Sequence, residues 1–180
     1  MRVITGRFKG ARLITPKGNW MRPTSDRVRE SIFSVLGSGI ENTEVLDLFA
    51  GTGSFGIEAI SRGAAAATFI DVSARAVDLI AKNMAKVGAT ATVYHLSAQK
   101  FLHVAALKKL EFDIIFCDPP YRFTRFDQLA EAIEHSGCLK ADGMIIYESG
   151  IRGETPVAAP FVLNLEKGVG DTRVSFFNRR

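Results

Sequence analysis

From Glu44 onward the apolar positions fall into short, nearly continuous runs separated by longer amphipathic stretches. The runs Val45–Phe49, Thr68–Val72, Ala91–His95, Phe112–Cys117 and Met144–Glu148 read as strands buried on both faces. The segment from Ser73 carries Val77, Ile80, Met84 and Val87 on one face and meets a terminating Gly88, which predicts a helix. A second helix is predicted near Phe126–His135, with Phe126, Leu129, Ala130 and Ile133 in phase. Strand–helix alternation of this kind implies a mostly parallel sheet with helices on both faces. The last two runs, Phe161–Glu166 and Thr172–Asn178, are separated only by residues 167–171. So short a connection holds no helical crossover, so these two strands pair antiparallel.

Upstream of this pattern, Arg2–Thr5 and Arg12–Thr15 read as two short strands of a hairpin around Gly6-Arg7-Phe8-Lys9-Gly10. Arg22-Pro23-Thr24-Ser25-Asp26 is a helix-start signal, and Thr24 or Ser25 can cap the first amides. Val28, Ile32, Val35 and Leu36 continue at helical spacing up to Gly37. The division expected is a basic hairpin extension, residues 1–22, ahead of one domain, residues 23–180.

Composition narrows the class. With 180 residues, 47% of them hydrophobic, the chain suits a single globular domain. No apolar run approaches the roughly 18 residues that a membrane span requires, and the first residues lack a signal-peptide core. Two cysteines without a CxxC spacing indicate a reduced, cytoplasmic protein. The three histidines show no ligand spacing, so no metal is expected. A monomer is expected. The net charge of +4 is unevenly spread: residues 1–29 hold eight Lys/Arg and one acid, leaving fifteen basic and eighteen acidic residues elsewhere. A basic segment on a mildly acidic body suits a polyanion partner.

After the first strand comes Asp47-Leu48-Phe49-Ala50-Gly51-Thr52-Gly53-Ser54-Phe55-Gly56. Gly51, Gly53 and Gly56 satisfy GxGxxG, and Asp71 lies twenty residues past Gly51, which literally matches the dinucleotide fingerprint. Asp47 argues against that reading, because a carboxylate there would repel a pyrophosphate and suit an ammonium group. The pattern resembles motif I of the class I, Rossmann-like methyltransferases, whose seven-stranded sheet ends in an antiparallel hairpin. The resemblance implies S-adenosylmethionine, with Asp47 near its methionine end, Phe49 among the residues that bind it, and Gly51 and Gly53 allowing close approach of the backbone. Asp71 would then bind the ribose hydroxyls, and Ser97 and Ala98 would flank the adenine.

Asp118-Pro119-Pro120-Tyr121 follows the fourth strand of the parallel run, at the sheet edge where ligands bind. Prolines carry no N–H, so this turn presents acceptors: the Asp118 carboxylate and a prolyl carbonyl. Tyr121 adds a stacking face. Two acceptors and a flat ring suit an exocyclic amine on a base drawn out of its stack. Cys117 ends a buried strand and reads as inert.

Five blocks together resemble one family: residues 1–10, 22–30, Leu46–Gly53, Glu58–Gly63 and Asp118–Tyr121. They are similar to the bacterial small-subunit ribosomal-RNA guanine-N2 methyltransferases, and the similarity extends from Met1 to about Tyr147. The resemblance implies methyl transfer from S-adenosylmethionine to N2 of a guanine in 16S rRNA, in free RNA or in a small ribosomal subunit. It gives Arg2, Arg7, Lys9, Arg12, Lys17 and Arg22 the role of holding RNA phosphates, with Phe8 available for stacking and Trp20 in the core. It also places Thr24 to Arg29 over the cofactor pocket, although Arg27 or Arg29 could pair with Glu30 or Asp26 as ordinary helix charges. The alternatives are a DNA adenine-N6 methyltransferase, a nicotinamide-dependent oxidoreductase and a non-catalytic RNA-binding factor.

Overall fold

The computed structural model describes residues 1–16, 24–120, 123–152 and 155–179. The elements in chain order are α1 (Asp26–Leu36), a 3-10 turn (Gly37–Ile40), β1 (Glu44–Asp47), α2 (Ser54–Ser61), β2 (Ala66–Asp71), α3 (Ala74–Val87), β3 (Thr92–His95), α4 (Ala98–Lys108), β4 (Phe112–Cys117), α5 (Phe126–Ser136), β5 (Leu139–Gly150), β6 (Val162–Val169) and β7 (Thr172–Asn178). The strands form one sheet in the order β3-β2-β1-β4-β5-β7-β6. β1 to β5 run parallel, while β7 is antiparallel to both β5 and β6. This is the sheet expected of a class I methyltransferase. Strand order reverses direction between β1 and β4, so a crevice opens outside their C-terminal ends.

Two apolar clusters cover the sheet. One joins α1, α2 and α3 to Val45, Phe69, Ile114, Phe116 and Ile146. The other joins α4 and α5 to Leu46, Ile70, Ile115, Cys117, Ile145 and Phe177. Adjacent strand residues alternate between them, as buried parallel strands require. Strand ends differ from the sequence expectation by a few residues. β5 begins at Leu139 rather than Met144, and β1 ends at Asp47 rather than Phe49. Backbone pairing still carries on past β1, since the Leu48 amide donates to the Phe116 carbonyl at 3.0 Å.

The N-terminal segment departs further from expectation. Instead of two strands it holds a single bridge, Arg2 to Arg12, in a tight loop. The loop is held by the Val3 amide on the Ala11 carbonyl and the Gly10 amide on the Val3 carbonyl. Its fixing points lie on the domain. Val3 and Leu13 enter the core. The Ile4 and Thr5 amides donate to the buried Glu58 carboxylate of α2 at 2.7 and 3.0 Å. The Arg7 amide donates to the Ser61 carbonyl at 2.8 Å. Gly6, at φ +84°, lies so close to α2 that a Cβ would come within 1.7 Å of the Ser61 oxygen. Only glycine fits such an approach at positive φ.

The other arm is clamped by Asn83 of α3. The Ile14 amide donates to Asn83 Oδ1 at 2.7 Å, and Asn83 Nδ2 donates to the carbonyls of Ile14 and Thr52 at 3.1 and 2.9 Å. The hairpin therefore shares the domain's core and polar network.

Candidate active site

A cleft of about 1540 Å³ opens at the C-terminal ends of the parallel strands. It exceeds the roughly 300–1,000 Å³ typical of a site for one small ligand, so two reactants fit side by side.

One half is walled by the loop Phe49–Thr52, by Asp71, Val72 and Ser73 after β2, and by Leu96 to Gln99 before and within α4. Asp71 organises this wall. Its Oδ2 accepts the Gly51 amide at 2.9 Å and its Oδ1 accepts the Ser73 amide at 2.8 Å. Gly51, at φ +54°, takes the left-handed backbone that glycine tolerates, and it lines the cleft. The Gly51 amide is committed to Asp71 and so is not available to a pyrophosphate. The acids Asp71, Asp118, Asp127, Glu148 and Asp171 also line the cleft, against one described basic residue, Arg27. That lining opposes a pyrophosphate and suits a cationic ligand. Val72, Leu96, Ala98 and Phe49 give this half apolar surface for a flat ring, and a carboxylate's spare lone pairs leave Asp71 able to accept from a diol. The residues present fit S-adenosylmethionine.

Phe49, Gly51, Asp71, Ser97 and Ala98 line the cleft as the sequence suggests, whereas Asp47 and Gly53 are not among its lining. Asp47 is 1% exposed and lies beneath the loop, its Oδ2 accepting the Gly56 amide at 3.3 Å. Its Oδ1 is buried with no hydrogen-bond partner among the described residues. Burial pushes the Asp47 carboxyl up to about 8, with Asp118 and Asp71 adding to the effect and the Gly56 amide opposing it. A Cβ at Gly53 would meet Ile80 and Phe69 side chains, so that glycine serves packing under the loop. Ser97 caps α4, its Oγ accepting the Lys100 amide at 3.3 Å.

The other half centres on Asp118 and Pro119, with Pro120 at the rim. The Phe123 amide donates to the Pro120 carbonyl at 2.7 Å. Tyr121 lies outside the described residues, as do Lys17, Trp20 and Arg22. Thr24 is buried at the mouth and its Oγ1 donates to Asp118 Oδ2 at 2.7 Å. The sequence offered Thr24 as a helix cap and, by resemblance, as part of the segment over the cofactor pocket, but not as a partner of Asp118. Ser25 is the cap, its Oγ accepting the Val28 amide, which leaves the Thr24 hydroxyl for Asp118. Tyr147 and Glu148 at the end of β5 complete the wall, and sequence reading missed both. Tyr147 stacks on Phe126 at 3.7 Å, and burial raises its phenol to about 12, so it stays protonated. Burial likewise pushes the Cys117 thiol well up, which removes it as a nucleophile.

Arg2, Arg7, Lys9 and Arg12 are all exposed on the hairpin. The Arg7 guanidinium sits 4.6 Å from the Phe8 ring centre, and Phe8 is partly buried against the core. Arg29 is fully buried, donating to the Arg2 carbonyl at 2.7 Å and to Asp26 at 3.0 Å. Burial lowers its pKa, opposed by Asp26 and Glu58. Arg29 thus ties α1 to the hairpin, while Thr24, just ahead of α1, ties the same segment to Asp118.

A family model described as conserved hypothetical protein 95 matches residues 1–178. The chain is 37% identical over 183 residues to a candidate rRNA methyltransferase, YlbH, of Bacillus subtilis, covering 100% of each. It is 35% identical over 181 residues to ribosomal RNA small subunit methyltransferase D of Escherichia coli K12, covering 99% of this chain and 90% of that one. Among solved structures, a candidate methyltransferase of Escherichia coli, yhhF, superposes with a TM-score of 0.87 at 36% identity, covering 100% of this chain and 98% of that one.

Proposed function

The chain belongs to the conserved hypothetical protein 95 family, that of the small-subunit ribosomal RNA methyltransferases D, and from that premise we propose that it methylates the exocyclic N2 of a guanine in 16S rRNA. S-adenosylmethionine is the methyl donor, supplying an electrophilic methyl on a sulfonium. The observation that carries the reading is the Asp118-Pro119-Pro120 turn, held by Thr24 and facing a cleft with room for both reactants.

The donor's ribose is taken by Asp71 and its adenine by the Val72, Leu96, Ala98 wall, with Ser97 at the edge. Phe49 and Gly51 line its methionine end, and Asp47 supports that wall from beneath by accepting the Gly56 amide. The target amine is held by two acceptors. One is the Asp118 carboxylate. The other is the Pro119 carbonyl, because that of Pro120 is committed to the Phe123 amide. Acceptors aligned on both N–H bonds favour a pyramidal nitrogen with its lone pair directed at the methyl. The rate then comes from alignment and preorganised charge. The amine becomes acidic only as its bond to carbon forms, so Asp118 needs no raised basicity to accept the proton. Tyr121 supplies the stacking face for the extruded base. Arg2, Arg7, Lys9 and Arg12, with Lys17 and Arg22, hold the phosphates around it. The protein acts as a monomer in the cytoplasm, without a metal.

The test supplies labelled donor with 16S rRNA, small subunits and DNA, and identifies the product by nucleoside digestion. N2-methylguanosine from the ribosomal substrate is expected, whereas N6-methyladenosine in DNA would overturn the reading. Asp118→Ala should lower kcat by about 10²-fold or more, the scale of losing a preorganised polar contact, with the donor Kd within about threefold.

A further inference from the structure

Glu148 is absent from the mechanism above, yet the fold sets it beside Asp118. β4 and β5 pair in parallel with Cys117 opposite Tyr147 as the last pair, so Asp118, the residue just past β4, follows beside Glu148 of β5. Adjacent strands lie roughly 4.8 Å apart. Side chains alternate across the sheet. Tyr147 faces α5, where it stacks on Phe126. Glu148 therefore shares the opposite face with Ile146, which packs in the α1–α3 cluster. Asp118 is on that face too, two residues past Phe116 of the same cluster and bonded to Thr24 ahead of α1. Both residues line the cleft, and Glu148 Oε2 is shielded from solvent.

Two neighbouring carboxylates facing one cleft are complementary to a ligand edge with two neighbouring donors. The Watson–Crick edge of guanine offers that pattern, N2–H₂ beside N1–H. Adenine and cytosine each place a ring-nitrogen lone pair next to their amine, and a carboxylate set against that lone pair is repelled. We propose that Glu148 is the base-reading residue of the site: its carboxylate accepts the N1–H of the guanine whose N2 amine is held by Asp118 and the Pro119 carbonyl. The inference rests on the guanine reading above and gives it a discriminating contact. Asp118 fixes which kind of nitrogen is methylated. Glu148 fixes which base carries it, through a charge-assisted hydrogen bond that only a protonated N1 can donate.

The experiment uses 16S rRNA ligated to carry guanine or 2,6-diaminopurine at the mapped target position, assembled into small subunits and methylated in competition by the full-length protein. Both purines present an N2 amine, but diaminopurine has a lone pair at N1. Wild type should prefer guanine by about 10²-fold or more, because the site's polar group is left unmatched by the analogue. Glu148→Gln keeps the shape and adds an amide donor that can meet the N1 lone pair. It should cut the preference by at least about tenfold, with an unchanged donor Kd. A residue that merely supported the fold would slow both substrates equally, so an unaltered preference in Glu148→Gln overturns the role of Glu148. Label appearing at another base while wild type leaves the guanine unmodified would instead overturn the guanine reading, and the role of Glu148 with it.

Discussion

Asp118 carries the proposed chemistry, but its orientation comes from a residue ninety-four positions earlier. The 2.7 Å bond from Thr24 Oγ1 to Oδ2 fixes the orientation of the carboxylate. Thr24→Val keeps the shape and removes the donor. It should lower kcat by about tenfold, the worth of a hydrogen bond to a charged group, with Tm and donor affinity near wild type. Thr24→Ser should restore the rate, and wild-type turnover in Thr24→Val would remove the hydroxyl from the mechanism. Asp47 illustrates a different control. Its carboxyl is raised to about 8 by burial, so from about pH 4 upward the unfolded chain gives up a proton that the folded chain keeps. This group therefore costs stability progressively as pH rises towards 8. Asp47→Asn has a neutral side chain at every pH and still accepts the Gly56 amide. Its Tm relative to wild type should increase between pH 5 and pH 8, and a constant difference would show that Asp47 is ionised throughout.

At the scale of elements, α2 acts as a platform on both sides. Its N-terminus lies under the glycine loop, while Glu58 and Ser61, one turn apart, receive the N-terminal hairpin. Glu58 is 0% exposed and satisfies two amides and Arg62 Nε, which donates at 2.8 Å. Glu58→Ala strands those donors and should destabilise the fold by about 3 kcal/mol, as loss of one member of a buried charged network does. Denaturant unfolding would measure it, and a change under about 0.5 kcal/mol would mean that the hairpin is held by its apolar contacts alone. The sequence carried a trace of this docking. Asn83 interrupts the apolar face of Ile80, Met84 and Val87, and a polar residue in such a stripe signals a buried partner.

For the molecule as a whole, the excess positive charge and the acidic cleft belong to different surfaces that meet near α1. Exposed Arg7 and Lys9 stand on a docked loop, and the donor site is lined by carboxylates. In the proposed function each ligand meets the field that suits it: the cationic donor an acidic wall, the polyanion a basic ridge. Arg7→Glu with Lys9→Glu should weaken rRNA binding and reduce the slope of log Kd against log salt by about two, the release of roughly one counterion per lost contact. An unchanged slope would place the phosphates elsewhere.

The sequence by itself determined the sheet, the terminal hairpin, the glycine loop and the Asp118 turn, because these are written in local periodicity and in residues whose backbone options are few. It also determined where the charge lies. It could not show that Arg2–Thr5 and Arg12–Thr15 form one bridge instead of strands, since α2 and α3 satisfy those amides through Glu58 and Asn83. Nor could it show that Asp47 lies under the loop, that Thr24 reaches Asp118, or that Glu148 stands beside it. Those relations join residues distant in the chain, and only strand register and the packing of α1 against the sheet bring them together.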